Sequence, residues 1–192
     1  MNSLPRRDFI KAGGALVVGF GLSDAIVAQT NTLSRGAVAG PPDAQQIDTW
    51  LAIHADNTAT VYVGFAELGQ GTSTALLQIA ADELDLDMSQ IKSVGLDTNV
   101  TPNQGGTYSS ASIARGGPQV RSAAAEARLA LLGMASKRLG VPVDSLQVSK
   151  GIVTGNQSRV TYGELIGDRR FNLAFTGTAP VKKPAEYAVV GT

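Results

Sequence analysis

The 192-residue sequence contains no cysteine, which removes several kinds of site at once. Without thiols the chain can form no disulfide, no zinc–thiolate site and no iron–sulfur cluster, and it can perform no thiol catalysis. Histidine is nearly absent as well, since His54 is the only one. One imidazole cannot build a histidine metal site alone, so we predict that His54 is an ordinary strand residue and assign no metal ligands.

The sequence also lacks an excess of charge of either sign. Its 16 basic and 16 acidic residues give a formal net charge of zero, which argues against binding to nucleic acid or to an anionic membrane surface. Aromatic residues are few, whereas glycine is abundant at 22 residues. This composition predicts tight turns and close backbone approaches rather than a large aromatic core. The length is sufficient for one domain with its own core.

The first 28 residues are predicted to be a targeting segment. The stretch LPRRDFIKAGG places Arg6 and Arg7 before a Phe-Ile-Lys sequence, and the apolar run Ala15 to Leu22 is too short to span a membrane. This resembles a twin-arginine signal, with Pro5 where a serine is usual, and implies export to the periplasm. The alternative is an ordinary basic leader in which the arginine pair is accidental. Cleavage after Ala28 would follow a poor recognition site, and an uncleaved signal would leave the protein associated with the membrane.

Twin-arginine export implies a protein that folds around a cofactor in the cytoplasm. A chain without cysteine would build such a site from backbone amides, hydroxyls and carboxamides.

The polar, proline-containing residues 29–46 are predicted to be a linker, and residues 47–192 to be the domain. Hydrophobic periodicity predicts two helix-on-sheet halves in an α+β, two-layer fold with a mixed sheet and two main helices packed on it. A weak internal repeat supports the two halves, because the spacing of apolar residues from Leu84 to Ile91 matches that from Leu139 to Leu146. The predicted strands are Ile47–Asp56, Thr58–Phe65, Gln90–Thr98, Ser145–Thr154 and Arg159–Ile166, and the predicted helices are Thr72–Leu84 and Pro118–Leu139.

A glycine-rich loop precedes each predicted helix. The first loop, ELGQG, connects the strand ending at Phe65 with the helix beginning at Thr72. Helix starts expose unpaired N–H groups and the positive end of the helix dipole, so they favour anions, and glycine lets a ligand approach the backbone. Gln70 offers a donor and an acceptor to the edge of a heterocycle. The loop is neither a Walker motif, since it lacks the lysine, nor a dinucleotide fingerprint, since it lacks the third glycine. The alternative to anion binding is that Thr72 or Ser73 only caps the helix.

The second loop, between Asn99 and Gly117, repeats this composition. Four hydroxyl side chains follow Gly105 and Gly106, namely those of Thr107, Ser109, Ser110 and Ser112. Two helix starts with hydroxyl-rich loops predict a bed for a phosphorylated cofactor.

The segments ELGQGTSTALLQIAADEL (67–84) and DTNVTPNQGGTYSSASIARGGPQVRSAAAEAR (97–128) together resemble the molybdenum-binding large subunit of the xanthine oxidase family. The likeness is closest to the isoquinoline 1-oxidoreductase beta-subunit type and extends from Asp48 to Thr192. The resemblance implies that these residues are the N-terminal portion of a larger molybdopterin-binding domain. It also implies that molybdopterin cytosine dinucleotide is bound jointly by this portion and by the missing domains. The residues implied to bind it here are Gly69, Gln70, Gly71, Thr107, Ser110 and Ser112.

No residue matches the catalytic glutamate of that family, so no catalytic residue is assigned. Glu67 lies next to the first loop, and we interpret it as a carboxylate that orients backbone amides. The remaining charges along the predicted helices are interpreted as solvated: Asp82, Glu83, Asp85, Asp87, Glu126 and Arg128.

The resemblance implies an exported molybdenum hydroxylase that oxidises aldehydes or N-heteroaromatic compounds with water as the oxygen source. The implied partners are the remainder of the large subunit, a separate iron–sulfur subunit and a cytochrome as electron acceptor. A separate iron–sulfur subunit is consistent with the lack of cysteine in this chain. The alternative is a stand-alone periplasmic module that binds an anion or cofactor without catalysis. A secreted hydrolase is disfavoured, because no Ser/His/Asp set is expected around a single strand histidine.

Overall fold

The computed structural model describes residues 42–191. The predicted signal segment, residues 1–28, and residues 29–41 of the predicted linker lie outside the described residues. None of the helices within residues 42–191 is both long enough and apolar enough to cross a lipid bilayer.

The first sheet contains three strands, β1 (Leu51–Ile53), β2 (Ala59–Val63) and β3 (Ile91–Gly95). β1 and β2 form an antiparallel hairpin, as the turn-forming pair Asp56-Asn57 between the two predicted strands indicates, and β3 pairs with β2 in parallel. Because parallel strands end on the same side, the segments that follow β2 and β3 leave the sheet at one edge. This edge carries the two glycine-rich loops.

The strand predicted from Ile47 begins later, because Ile47–Thr49 forms a 3₁₀ helix. The tight turn is closed by the Trp50 N–H, which donates to the Ile47 carbonyl at 2.8 Å. The side chains of Thr49 and Trp50 donate to backbone carbonyls at residues 43 and 44. These bonds hold the entering chain against the domain.

Two long helices form the second layer. α1 spans Thr72–Leu84, as predicted, and α3 spans Gly116–Leu139, two residues longer at its start than predicted; the one-turn helix α2 (Ala111–Ala114) precedes α3. α1 packs on the first sheet and against α3. The apolar spacing of α3 predicts one buried face, which is buried at Val120, Ala124, Ala127, Leu131 and Ala135 and only partly buried at its last residue, Leu139. Its small alanine side chains allow close packing of the helix.

The predicted internal repeat is present. α1 is followed by a 3₁₀ helix (Met88–Gln90) and then β3, and α3 is followed by a 3₁₀ helix (Val143–Ser145) and then a strand. The second copy leads into a separate antiparallel sheet of β4 (Gln147–Ser149), β5 (Ile152–Gly155) and β6 (Ser158–Thr161). The α+β class with a mixed sheet and two main helices is therefore confirmed, and the second sheet adds to it.

Two further predicted strands are wrong in extent. The segment Ser145–Thr154 contains two strands, because Lys150 and Gly151 adopt φ of 52° and 69° and reverse the chain. The segment predicted to run to Ile166 leaves the sheet at Thr161 and enters the short helix α4 (Tyr162–Ile166). Thr161 caps this helix by accepting the Glu164 N–H at 3.1 Å.

The chain after α4 has little regular structure and is held by buried carboxylates. Asp82 is 3% exposed and accepts the N–H groups of three consecutive tail residues, 188–190, at 2.7, 3.0 and 2.9 Å. Glu83 is 1% exposed and accepts the Lys182 N–H and the Arg121 Nε. The prediction that these two carboxylates are solvated is therefore wrong.

The same correction applies to Glu126, Asp85 and Arg128. Glu126 is buried and accepts the N–H and hydroxyl of Thr176 as well as the Thr178 N–H. Burial raises the pKa of Glu126, but these hydrogen bonds outweigh burial and hold the pKa below its usual value. Asp85 is largely covered and pairs with Arg128 at 2.7 Å. Only Asp87 remains half exposed, beside Lys150.

Candidate cofactor-binding site

The two glycine-rich loops contact each other at the edge of the first sheet. The first loop (residues 64–71) follows β2, and the second loop (residues 96–110) follows β3. The Gly64 N–H donates to Gln104 Oε1 at 2.7 Å, and the Ala66 N–H donates to Thr107 Oγ1 at 2.8 Å. A Cβ on Gly64 would collide with the Pro102 carbonyl oxygen, so glycine is required for this close approach.

Glu67 holds the start of α1 as the sequence interpretation expected. Its Oε1 accepts the N–H groups of Gly69 and Gly71 at 2.8 and 3.0 Å, and its Oε2 accepts the Ser73 N–H at 3.0 Å. The hydrogen bonds from Ser73, then Gly71 and Gly69, hold the pKa of the Glu67 carboxyl below its usual value. The carboxylate thus orients backbone amides.

This arrangement changes one prediction about the first loop. Amides at a helix start favour an anion, and here the anion is the side chain of Glu67 itself. A cofactor phosphate cannot use the N–H groups of Gly69, Gly71 and Ser73 while Glu67 accepts them. The first loop therefore offers a neutral surface instead.

That surface is formed by Gly69, Gln70 and Gly71, all of which are exposed. Gly69 and Gly71 adopt φ of 94° and 76°, and a Cβ on either would meet nothing within 4 Å. Both ends of the Gln70 carboxamide form hydrogen bonds within the loop, since Oε1 accepts the Leu68 N–H and Nε2 donates to the Ala66 carbonyl. The loop is preorganised, with open space over its two glycines.

The predicted hydroxyls of the second loop have different surroundings. Thr107 faces the first loop through its bond to Ala66. Ser110 is exposed and adopts φ of 56° just before α2, whereas Ser112 lies within α2 and is buried. The structure therefore brings Thr107 to the first loop and leaves Ser110 open to solvent.

Two residues of the site were missed by the sequence interpretation. Gln104 is 2% exposed and joins the two loops, and its Nε2 donates to Gln119 Oε1 at 3.2 Å. Arg115 lies over the Phe65 ring, with Cζ 5.8 Å from the ring centroid. A carboxamide in a polar loop carries no signal of burial, whereas the single arginine of this glycine- and hydroxyl-rich loop is visible in the sequence and could have been named as a candidate donor.

The histidine forms a set that the sequence interpretation did not expect. His54 Nδ1 lies 3.0 Å from Asp168 Oδ1, and Nε2 lies 2.8 Å from Thr60 Oγ1. The hydroxyl in this set belongs to a threonine and not to a serine. Thr60 is 4% exposed in β2, so a substrate could not reach its hydroxyl. The arrangement ties β1 and β2 to the segment after α4.

The residues around the loops suit the organic part of a large cofactor. They present open backbone, a carboxamide, hydroxyls and a guanidinium, together with the exposed side chains of Leu68 (82% exposed) and Tyr108 (65%). Apolar surface with a few polar groups suits a heterocycle, and the guanidinium suits a phosphate. Within residues 42–191, no group of three or more histidine or carboxylate side chains is placed to hold a metal ion.

Comparison with known proteins agrees with this chemistry. A sequence model of the molybdopterin cofactor-binding domain family matches residues 11–189. A nicotinate dehydrogenase chain from Pseudomonas putida is 34% identical over 99% of this chain, and the beta chain of isoquinoline 1-oxidoreductase from Brevundimonas diminuta is 33% identical over 85%. The chain spans only 16% and 22% of the length of these relatives. Carbon monoxide dehydrogenase from Oligotropha carboxidovorans has a similar fold, with a TM-score of 0.53 and 25% identity over 60% of this chain and 15% of that one.

Proposed function

The chain belongs to the molybdopterin cofactor-binding domain family, and from that premise we propose that it is the N-terminal part of the large subunit of a molybdenum hydroxylase. The observation that carries the proposal is the contact between the two loops through Ala66 and Thr107. It places a glycine-lined surface and a hydroxyl-rich loop side by side, as binding of one extended cofactor would require.

We propose specific roles for the loop residues. Gly69, Gln70 and Gly71 lie against the heterocycle of the cofactor, where the two glycines leave space for a ring and the carboxamide of Gln70 can exchange its internal bonds for bonds to the ring edge. Thr107, Ser110 and Ser112 form the hydroxyl side of the bed. When bound, the cofactor supplies the redox-active molybdenum. This chain supplies orientation, and we assign it no catalytic residue.

The proposed cofactor form is molybdopterin cytosine dinucleotide, which the rest of the subunit would share. The proposed substrates are aldehydes or N-heteroaromatic compounds, with water as the oxygen source. This choice is supported by the names of the two relatives, whose substrates, nicotinate and isoquinoline, are N-heteroaromatic compounds.

The proposed partners are the remainder of the large subunit, an iron–sulfur subunit and a cytochrome that accepts electrons. Both named relatives are subunits of larger enzymes, which supports partner chains here. We further propose export to the periplasm by the twin-arginine route, on the basis of Arg6 and Arg7.

The proposal is tested by purifying the full-length subunit with its partners from its own host. Molybdenum is measured by mass spectrometry, and nucleotide is measured after acid release. Equimolar molybdenum and cytosine nucleotide are expected. The control is the same protein from cells that cannot make the cofactor. A folded protein with neither molybdenum nor nucleotide, and with no partner chain, would favour a stand-alone binding module.

A further inference from the structure

Arg115 lies between the two loops and is held there without an acidic partner. Its guanidinium covers the face of Phe65, which lies near the start of the first loop. Its Nη2 lies 2.7 Å from the position that a Cβ on Gly105 would take, so the guanidinium fills the notch left by that glycine. The ion pairs among the described residues do not include Arg115.

The surroundings fix the orientation of this guanidinium. Stacking on an aromatic ring holds its plane while its N–H edges remain free to donate, and Arg115 is exposed. A guanidinium fixed in advance loses little side-chain entropy when it binds a ligand. The arrangement is therefore suited to binding rather than to stabilising the fold.

Such a donor suits the loops because Glu67 already accepts three of the amides at and before the start of α1. Glu67 accepts the N–H groups of Gly69, Gly71 and Ser73, so these amides cannot also bind a cofactor phosphate. A negatively charged group at the paired loops therefore finds fewer free amides at the first loop and would gain from a donor on the side of the second loop. Arg115 is the cation on that side, at the start of α3.

We infer that Arg115 binds the phosphate or pyrophosphate group of the cofactor, with two parallel N–H···O bonds to its oxygens. This rests on the proposed function and adds an orientation to it. The heterocycle lies on the glycines of the first loop, and the phosphates lie over the second loop near Gly105.

The test uses the full-length protein with its partners and three variants. Arg115→Gln removes the charge, and Arg115→Lys keeps the charge but loses the planar fork. Arg159→Gln is the matched control, because Arg159 is an exposed arginine in β6 of the second sheet. Circular dichroism and thermal melting report whether each variant folds. A normal fold is expected, since Arg115 is exposed and makes a single ring contact.

Two measurements report on phosphate binding without relying on activity. The first is the molybdenum and cytosine nucleotide content of the purified protein. The second is binding of inorganic pyrophosphate to cofactor-free protein by calorimetry. Arg115→Gln should weaken pyrophosphate binding by about tenfold or more and lower both contents together, Arg115→Lys should be intermediate, and Arg159→Gln should match the unmodified protein.

The outcomes separate this inference from the proposed function. Unchanged pyrophosphate binding and cofactor content in Arg115→Gln would overturn the role of Arg115, as would an equal loss in Arg159→Gln. Absence of molybdenum from the unmodified protein would instead overturn the proposed function. In that case pyrophosphate binding would still decide whether Arg115 is a phosphate site.

Discussion

A single side chain, that of Glu67, organises the first loop by accepting three backbone N–H groups. The sequence placed this residue beside a turn and suggested the role, because a carboxylate next to glycines before a helix can reach the free amides of the helix start. The sequence could not show that Glu67 would use the very amides that an external anion needs. That depends on the positive φ of Gly69 and Gly71, which turns their N–H groups toward one carboxylate.

Replacing Glu67 with glutamine should loosen the first loop. Glutamine can accept with its oxygen, but its NH₂ group would face an N–H donor and could not bond to it. We expect faster hydrogen exchange at the amides of Gly69, Gly71 and Ser73 without loss of overall helicity. Asp144→Asn is the control, because Asp144 is exposed in a 3₁₀ helix outside both loops. Unchanged exchange in Glu67→Gln would show that the carboxylate does not hold the loop.

The same carboxylate predicts a dependence on pH. Because the folded pKa of Glu67 is lowered, its contribution is fully present above the ordinary glutamate value of about 4.3. The contribution is lost as the pH falls through the lowered folded pKa. Exchange rates at Gly71 and Ser73, corrected for intrinsic rates, should therefore rise only on acidification below that range. Protection that declines between pH 8 and 6 would contradict this assignment.

Gly71 and Gln70 should differ in their effect on cofactor retention. A valine at position 71 would fill the open space over the loop and would oppose the φ of 76°. Gln70→Ala removes two hydrogen bonds within the loop. A hydrogen bond typically contributes about 0.5–1.5 kcal/mol to stability. Molybdenum and nucleotide content should fall in both variants, and further in Gly71→Val.

Gly177 provides the matched control for this experiment. It adopts φ of 70°, also with nothing within 4 Å of a Cβ, but it lies in the tail rather than in the loops. Gly177→Val should therefore show the backbone cost without loss of cofactor. Full cofactor content in a folded Gly71→Val protein would mean that the first loop is only a turn.

The helices and the first hairpin could be predicted from short stretches of sequence. Contacts between residues far apart in the sequence could not. The bounds of α1 and the buried face of α3 follow from spacing within a few turns, and the β1–β2 hairpin follows from one short turn. The acidic residues at the end of α1 gave no such signal, because their partners in the tail lie about a hundred residues later in the chain. A carboxylate that binds distant backbone looks the same in sequence as a solvated one.

Asp82 offers a direct test of this long-range contact. Asp82→Asn replaces one acceptor oxygen of this buried carboxylate by an NH₂ group, which cannot accept the tail N–H that donated there. We expect the protein to lose about 1–3 kcal/mol of unfolding free energy, measured by chemical denaturation, with Asp144→Asn as the control. Hydrogen exchange should increase at Ala188 and Val190, whose N–H groups donate to Asp82. Unchanged stability and exchange would show that the tail is held by other contacts.

At the scale of the whole molecule, the arginine pair makes a prediction about location. If Arg6 and Arg7 are recognised by the twin-arginine translocase, changing both to lysine should keep the protein in the cytoplasm with its cofactor bound. Cell fractionation followed by molybdenum analysis of each fraction measures this. Arg35→Lys, in the predicted linker, is the control and should leave export unchanged. Normal export of the double variant would remove the twin-arginine interpretation.

The separation in sequence between bonded residues has a consequence for the order of assembly during synthesis. The bonds that join the two loops connect residues 40 and 41 positions apart, whereas those from Asp82 to the tail span 106 to 108 positions. Closing the longer loop costs only roughly 0.9 kcal/mol more in entropy, so the difference lies mainly in time. A ribosome completes the paired loops well before it makes residues 188–190. We therefore expect a nascent chain to form the contact between the two loops while the bonds from the tail to Asp82 are still missing.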